Sequence, residues 1–232
     1  MASALRALLI LAVIWLAGPG RPAPAEATPV DLELVLAVDC SGSIDESEFA
    51  LQIKGYAAAF SHPSVIRAIR SGRYGAIAVT YVQWSGPFLQ NQAVGWTLVN
   101  DADSAEGFGA KMTSARRAIY SGGTSLSGAI DHAVTLFEKS GYQGVRRVID
   151  VSGDGINNNG RRPSLARDDA VARGLTINGL AILTDFGGLD RYYEENVIGG
   201  TGAFVIAAED FESFAAAILN KLIREIASAE AD

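Results

Sequence analysis

Three oxygen-bearing side chains alternate in the segment Asp39-Cys40-Ser41-Gly42-Ser43. One carboxylate and two hydroxyls are hard donors, and hard donors suit a hard divalent cation. Magnesium fits this set best, because it takes few carboxylates, prefers near-octahedral geometry and retains water; manganese and calcium are the alternatives. The donors stand at the end of the apolar run Leu32-Glu33-Leu34-Val35-Leu36-Ala37-Val38, long enough for one buried strand. Gly42 lets the backbone turn. In open α/β sheets ligands bind in the crevice outside the carboxyl ends of the strands, where this segment would lie. A metal-free reading uses the same residues, with Asp39 capping its loop and the hydroxyls satisfying turn backbone.

The flanking pattern supplies the elements that would position such a loop. Asp45 and Glu48 form a capping-box start, and Phe49, Ile53, Ala57 and Phe60 repeat at helical spacing before His62-Pro63 ends the run. Tyr74–Trp84 reads as a second strand and Ala93–Val99 as a shorter one, joined too closely for a crossover helix and so antiparallel. A helix starting near Asp103 would carry Phe108, Met112, Ala115 and Ile119 on one face. Leu126, Ile130, Val134 and Phe137 mark the next helix, Arg147–Val151 a buried strand, and Ser164–Arg173 a short alanine-rich helix with Pro163 in its first turn. Strands at Leu175–Leu183 and Ala203–Ala207 flank a short helix at Leu189–Val197, and Phe211, Phe214, Ile218, Leu222 and Ile226 give a closing amphipathic helix. The alternation predicts an α/β fold: a doubly wound, mostly parallel six-stranded sheet with one antiparallel edge and helices on both faces.

Two further segments follow the first in order, each at a strand-to-helix boundary: Gly122-Gly123-Thr124-Ser125 and Ser152-Gly153-Asp154-Gly155. Together with D-x-S-x-S they resemble the metal-ion-dependent adhesion site of von Willebrand factor A-type domains, and the resemblance covers the chain from about Val30 to Ala227. It implies a Rossmann-like fold with Ser41, Ser43 and Thr124 as hydroxyl ligands. Asp39 and Asp154 would act directly or through bound water. One coordination position would stay open for a carboxylate, an Asp or Glu exposed on an unidentified partner protein. The glycine before Asp154 departs from the commoner Thr-Asp-Gly form. Gly155-Ile156-Asn157-Asn158 and Ile177-Asn178-Gly179-Leu180 are similar to an exported bacterial branch of the family without an assigned function. Some relatives shift the closing helix with metal occupancy, which would implicate Phe211 to Ile226.

Other chemistry has little footing. Neither His62 nor His132 sits in an H-x-x-x-H spacing, and the chain has no G-x-S-x-G elbow or P-loop. Ser41 has no evident base beside it. The strongest catalytic version is a magnesium-dependent hydrolase built on Asp39 and Asp154, with no general base beyond its own ligands, so the expectation is a binding module and not an enzyme. A metal-independent envelope scaffold is the other alternative. Arg161 and Arg162 could rim the site or simply be solvated charges at a helix start, and Asn157–Asn159 could shape the rim.

Composition frames these readings. Of 232 residues 49% are hydrophobic and 19% charged, as for one globular domain over residues 28–232. Residues 1–27 read as a secretory signal peptide: Arg6, an apolar stretch from Leu8 to Ala17, a Gly-Pro-Gly break, then small residues with cleavage after Ala27 or Ala25. The apolar stretch is shorter than the roughly 20 residues of a spanning helix, so the expectation is an exported, periplasmic or secreted protein without a stable membrane span. Loss of two arginines and one glutamate with that leader moves the net charge from −7 to −8, which argues against nucleic acid as a partner. The single cysteine, Cys40, allows no intrachain disulfide and reads as a small buried apolar residue.

Overall fold

The computed structural model describes residues 27–227; the expected signal peptide, apart from its last position, lies outside them. In chain order the elements are β1 (Thr28–Asp39), α1 (Glu46–Phe60), α2 (Pro63–Ser71), β2 (Ile77–Trp84), β3 (Gln90–Val99), α3 (Ala102–Ser114) and α4 (Leu126–Phe137). Then follow β4 (Tyr142–Gly153), α5 (Pro163–Val171), β5 (Thr176–Ile182), α6 (Leu189–Asn196), β6 (Val205–Ala208) and α7 (Phe214–Ala227). The strands form one six-stranded sheet in the order β3-β2-β1-β4-β5-β6. Every pairing is parallel except that of β3 with β2 at the edge. The expected doubly wound sheet is therefore the one observed.

The central position of β1, between β2 and β4, explains its unbroken apolar run. A parallel strand covered on both faces has no solvent side to alternate with. Leu32, Leu34, Leu36 and Val38 pack toward α1, α3 and α7, while Val35 and Ala37 pack toward α4, α5 and α6. Two layers of helix thus hold the sheet rigid, and the carboxyl ends of β1, β2, β4 and β5 emerge along one edge.

Several expectations need correction. His62-Pro63 separates two helices instead of ending one. Pro63 opens α2, where its missing N–H is no loss, and His62 Nδ1 caps it by accepting from Ser64 N at 3.2 Å. α3 is capped by Asp101, not Asp103, and stops at Ser114, so Ile119 lies beyond the helix. The buried Gln83 side chain holds that next stretch out of helical form, donating to Arg116 O at 3.0 Å and accepting from Ala118 N at 2.7 Å. β4 is longer than Arg147–Val151 because β1 extends back to Thr28 and pairs with it from Tyr142. Phe211 sits buried in the turn before α7, where Asp210 and Ser213 bond each other's backbone N–H.

Candidate metal centre

β1 delivers Asp39 to the carboxyl edge, and Ser41 opens the turn that follows, its carbonyl accepting from Ile44 N at 3.2 Å. Asp39 is fully buried. Its Oδ1 accepts from Ser41 N at 2.7 Å, whereas Oδ2 meets no donor among the described residues. Burial pushes this carboxyl up to about 8 and Asp154 adds to the rise, while hydrogen bonds from Ser41 and the charge of Arg117 oppose it. Ser41 Oγ and Ser43 Oγ stand 3.2 Å apart, and Ser43 Oγ donates to Asp154 Oδ1 at 3.1 Å. Burial raises Asp154 as well, with Ser43 opposing and Asp185 and Glu48 contributing to the rise.

The second segment joins through backbone. Gly42 N donates to Gly122 O at 3.2 Å. Gly122 holds φ at +118°, and a Cβ there would strike Ser85 Oγ. The glycine is thus required twice over, by dihedral and by space. Thr124 is buried, with its N–H donating to Asn158 Oδ1 at 2.9 Å and its carbonyl accepting from Asn158 N and Asn159 N. Its Oγ1 lies 3.4 Å from where a Cβ on Gly155 would stand, which puts the hydroxyl beside the Asp154 loop. Asn158 therefore staples two site loops together.

All five expected site residues thus meet at one edge. Direct side-chain contacts link Ser41, Ser43 and Asp154; Asp39 joins through Ser41 N, and Thr124 through loop packing. The donor set suits a divalent cation, because a buried carboxylate oxygen lacks a donor and no ion pair among the described residues engages Asp39 or Asp154. No group of three His, Cys, Asp or Glu side chains converges anywhere among those residues. A cation here would depend on hydroxyls and water, as hard oxygen-seeking ions allow. Cys40 is buried, and burial pushes its thiol far above the ordinary range, so it stays an inert packing group.

Two buried residues beside the site carried no signal that sequence reading used. Arg117 is buried beneath the first loop, donating from Nη2 to Ile44 O at 2.8 Å and from Nε to Ile119 O at 2.8 Å. Its guanidinium also lies 5.2 Å from the Phe49 ring and 5.3 Å from that of Tyr120. Tyr193, on α6, is fully buried with its hydroxyl among the site carboxylates. Arg161 is engaged in ion pairs, with Asp131 at 2.6 Å and Asp169 at 2.7 Å. Arg162 stands at the α5 N-cap without a side-chain capping bond.

Residues 29–230 match the model of a family described as "Protein of unknown function (DUF1194)". The chain belongs to this family. No curated protein matches it by sequence. Among solved structures it is similar to proximal thread matrix protein 1 from the mussel byssus with a zinc-occupied MIDAS motif, at TM-score 0.68 and 17% identity over 88% of this chain and 50% of that one. It is also similar to the vWF domain of the type V pili tip protein Mfa5 from Porphyromonas gingivalis, at TM-score 0.57 and 12% identity over 86% and 96%. A third is manganese-loaded TRAP from Plasmodium vivax, at TM-score 0.53 and 16% identity over 85% and 73%. The DUF1194 chain spans about half the length of the mussel proteins it matches. At these identities the likeness is one of fold, and that fold is the von Willebrand A type.

Proposed function

We propose that this protein is a metal-dependent protein-binding module, in which Asp39, Ser41, Ser43, Thr124 and Asp154 hold a divalent cation that takes a carboxylate from a partner. The observation that carries the reading is the convergence of two buried carboxylates and three hydroxyls with no basic side chain among the described residues in an ion pair with either acid. Ser41, Ser43 and Thr124 would ligate through their hydroxyls, and Asp39 and Asp154 directly or through water. Magnesium is the first choice, with manganese or calcium as substitutes. Bound there, the cation would supply a Lewis-acidic position short of anionic ligands, which a third carboxylate completes.

The surroundings favour a protein as the source of that carboxylate. Five of the eight large apolar side chains exposed among the described residues sit on loops of the carboxyl edge: Phe88, Leu89, Tyr120, Ile156 and Phe186. Phe88 is 94% exposed, and Leu89 lies 3.2 Å from where a Cβ of Gly122 would stand. Single exposed apolar residues are ordinary, but their concentration on the loops of the edge that carries the site supports a contact surface there. Metal-bearing MIDAS and pilus-tip proteins among the structural neighbours support the same reading. With the leader sequence, they also support an exported, periplasmic or secreted location.

The test is calorimetric titration of Mg²⁺ and Mn²⁺ into chelator-stripped protein beside Asp39→Ala. Saturable binding near one equivalent, absent in the variant, is expected. A partner captured in Mg²⁺ should be released by chelator. An intact protein that binds neither cation, and holds its partners regardless of chelator, would replace this reading with a metal-independent scaffold.

A further inference from the structure

Gly153 directly precedes Asp154, where the von Willebrand A resemblance leads one to expect a threonine, and the structure gives it physical neighbours. A Cβ built on Gly153 would stand 2.8 Å from Asp39 Oδ2 and 3.0 Å from the hydroxyl of Tyr193. The first is closer than real Cβ atoms come and the second is tight, so a glycine here leaves room for both oxygens. A second glycine serves the same tyrosine. A Cβ on Gly179 of β5 would stand 2.6 Å from Tyr193 Cδ1, so the ring packs against the sheet where two neighbouring strands lack side chains. Neither glycine is needed for its dihedral, since neither has a positive φ. Together they form a slot that admits an aromatic ring and aims its hydroxyl at the metal loop.

The hydroxyl at the end of that slot has no hydrogen-bond partner among the described residues, and neither has Asp39 Oδ2 beside it. Two buried polar atoms left unpaired side by side are unfavourable as a packing arrangement. One is an O–H donor and the other a carboxylate acceptor, so the two are complementary. A hydroxyl that donates to a ligating carboxylate would orient it and hold it in place, which is what supporting partners do at metal sites.

We propose that Tyr193 is a positioning residue of the cation site, its hydroxyl donating to Asp39 Oδ2 in the metal-loaded protein, and that Gly153 and Gly179 are glycines in order to admit it. This rests on the cation reading above. It accounts for the departure at position 153 as an exchange: a side chain is given up beneath the metal loop so that a tyrosine from α6 can reach it.

The test compares Tyr193→Phe with Tyr192→Phe, whose hydroxyl accepts from Asn157 N at 3.3 Å on the next loop. The full chain, stripped of metal, is titrated with Mg²⁺ by calorimetry, and tyrosine ultraviolet difference absorption is followed in parallel. Tyr193→Phe should bind Mg²⁺ roughly tenfold more weakly, the lower end of what loss of such a supporting partner does to a metal site. It should lose the metal-induced tyrosine difference signal, which Tyr192→Phe keeps. The metal-free unfolding midpoint should not fall, because Phe fills the same slot without a buried unpaired hydroxyl. Gly153→Ala should also weaken Mg²⁺ binding, since its methyl displaces both oxygens. Wild-type Mg²⁺ affinity in Tyr193→Phe would overturn the proposal and leave the cation site standing. Weaker binding together with a lowered metal-free midpoint would overturn it in favour of a packing role. No Mg²⁺ binding by the unmodified protein would overturn the cation reading itself, and this proposal with it.

Discussion

Asp150 lies within β4 and Asp154 just past its end, and each is half of a buried carboxylate pair. The two pairs are neutralised differently. Asp150 is matched with Glu225 of α7, and between them sits Lys221, with Nζ 2.6 Å from Asp150 Oδ1 in an ion-pair contact and 3.2 Å from Glu225 Oε1. Asn178 Nδ2 donates to the same Glu225 oxygen at 2.8 Å. Burial raises Asp150 while Lys221 pulls it back, and all three charged side chains are inaccessible to water. Asp154 is matched with Asp39, and there the buried cation of the neighbourhood, Arg117, gives its N–H groups to backbone carbonyls of Ile44 and Ile119. Where the chain provides its own cation the pair fastens α7 to the sheet. Where it pairs none with the acids, burial pushes both carboxyls up, and a cation from solvent completes them on the reading proposed here.

This contrast can be broken at its strongest point first. Lys221→Met removes the built-in cation and leaves two buried carboxylates facing each other. Loss of one partner of a buried ion pair costs roughly 3–5 kcal/mol, so chemical denaturation should show a large destabilisation that added Mg²⁺ does not reverse. A stability within about 1 kcal/mol of wild type would mean that the lower cluster is no fastening.

Asp39→Asn tests the upper pair and should act in the opposite sense. It abolishes Mg²⁺ binding but does not destabilise the metal-free fold, because it removes a buried acid with an unsatisfied oxygen. The pH dependence follows from the same group. Unfolded, Asp39 ionises near 3.8; folded, burial and Asp154 hold it neutral up to about 8, with Arg117 opposing. The folded state thus binds the extra proton between those values. The stability Asp39 contributes is full below about pH 4 and is lost as pH rises toward 8, by at most about 1.4 kcal/mol per pH unit. Denaturation of metal-free wild type against Asp39→Asn across that range should show the gap opening with pH, and Mg²⁺ affinity should strengthen as the competing proton leaves. The smallest effect is expected at Arg161→Ala. Its exposed pairs with Asp131 and Asp169 should contribute under about 1 kcal/mol and leave Mg²⁺ binding unchanged.

Much of this molecule was legible from local pattern. The unbroken apolar run of β1, the capping box at Asp45 and Glu48, the proline opening α5 and the short β2–β3 connection each report their conformation through neighbours in sequence. So did the three donor segments, because oxygen donors at strand ends are visible one segment at a time. α2 was missed because a proline reads equally well as a stop and as a start, and His62 became a cap only through its contact with Ser64. The end of α3 was misread because Gln83, on another strand, decides it.

The sequence by itself therefore determined the order and type of the elements apart from α2, and which oxygen-bearing side chains stand at the strand ends, since periodicity, capping and turn chemistry act over a few residues. Only the tertiary structure decided which charges meet. Lys221 reaches Asp150 across the α7–sheet interface, Arg117 turns to carbonyls instead of to Asp39, and Tyr193 enters a slot cut by Gly153 and Gly179. Each of these depends on distance in space between residues far apart in the chain, and pairings of that kind leave no period for a sequence to display.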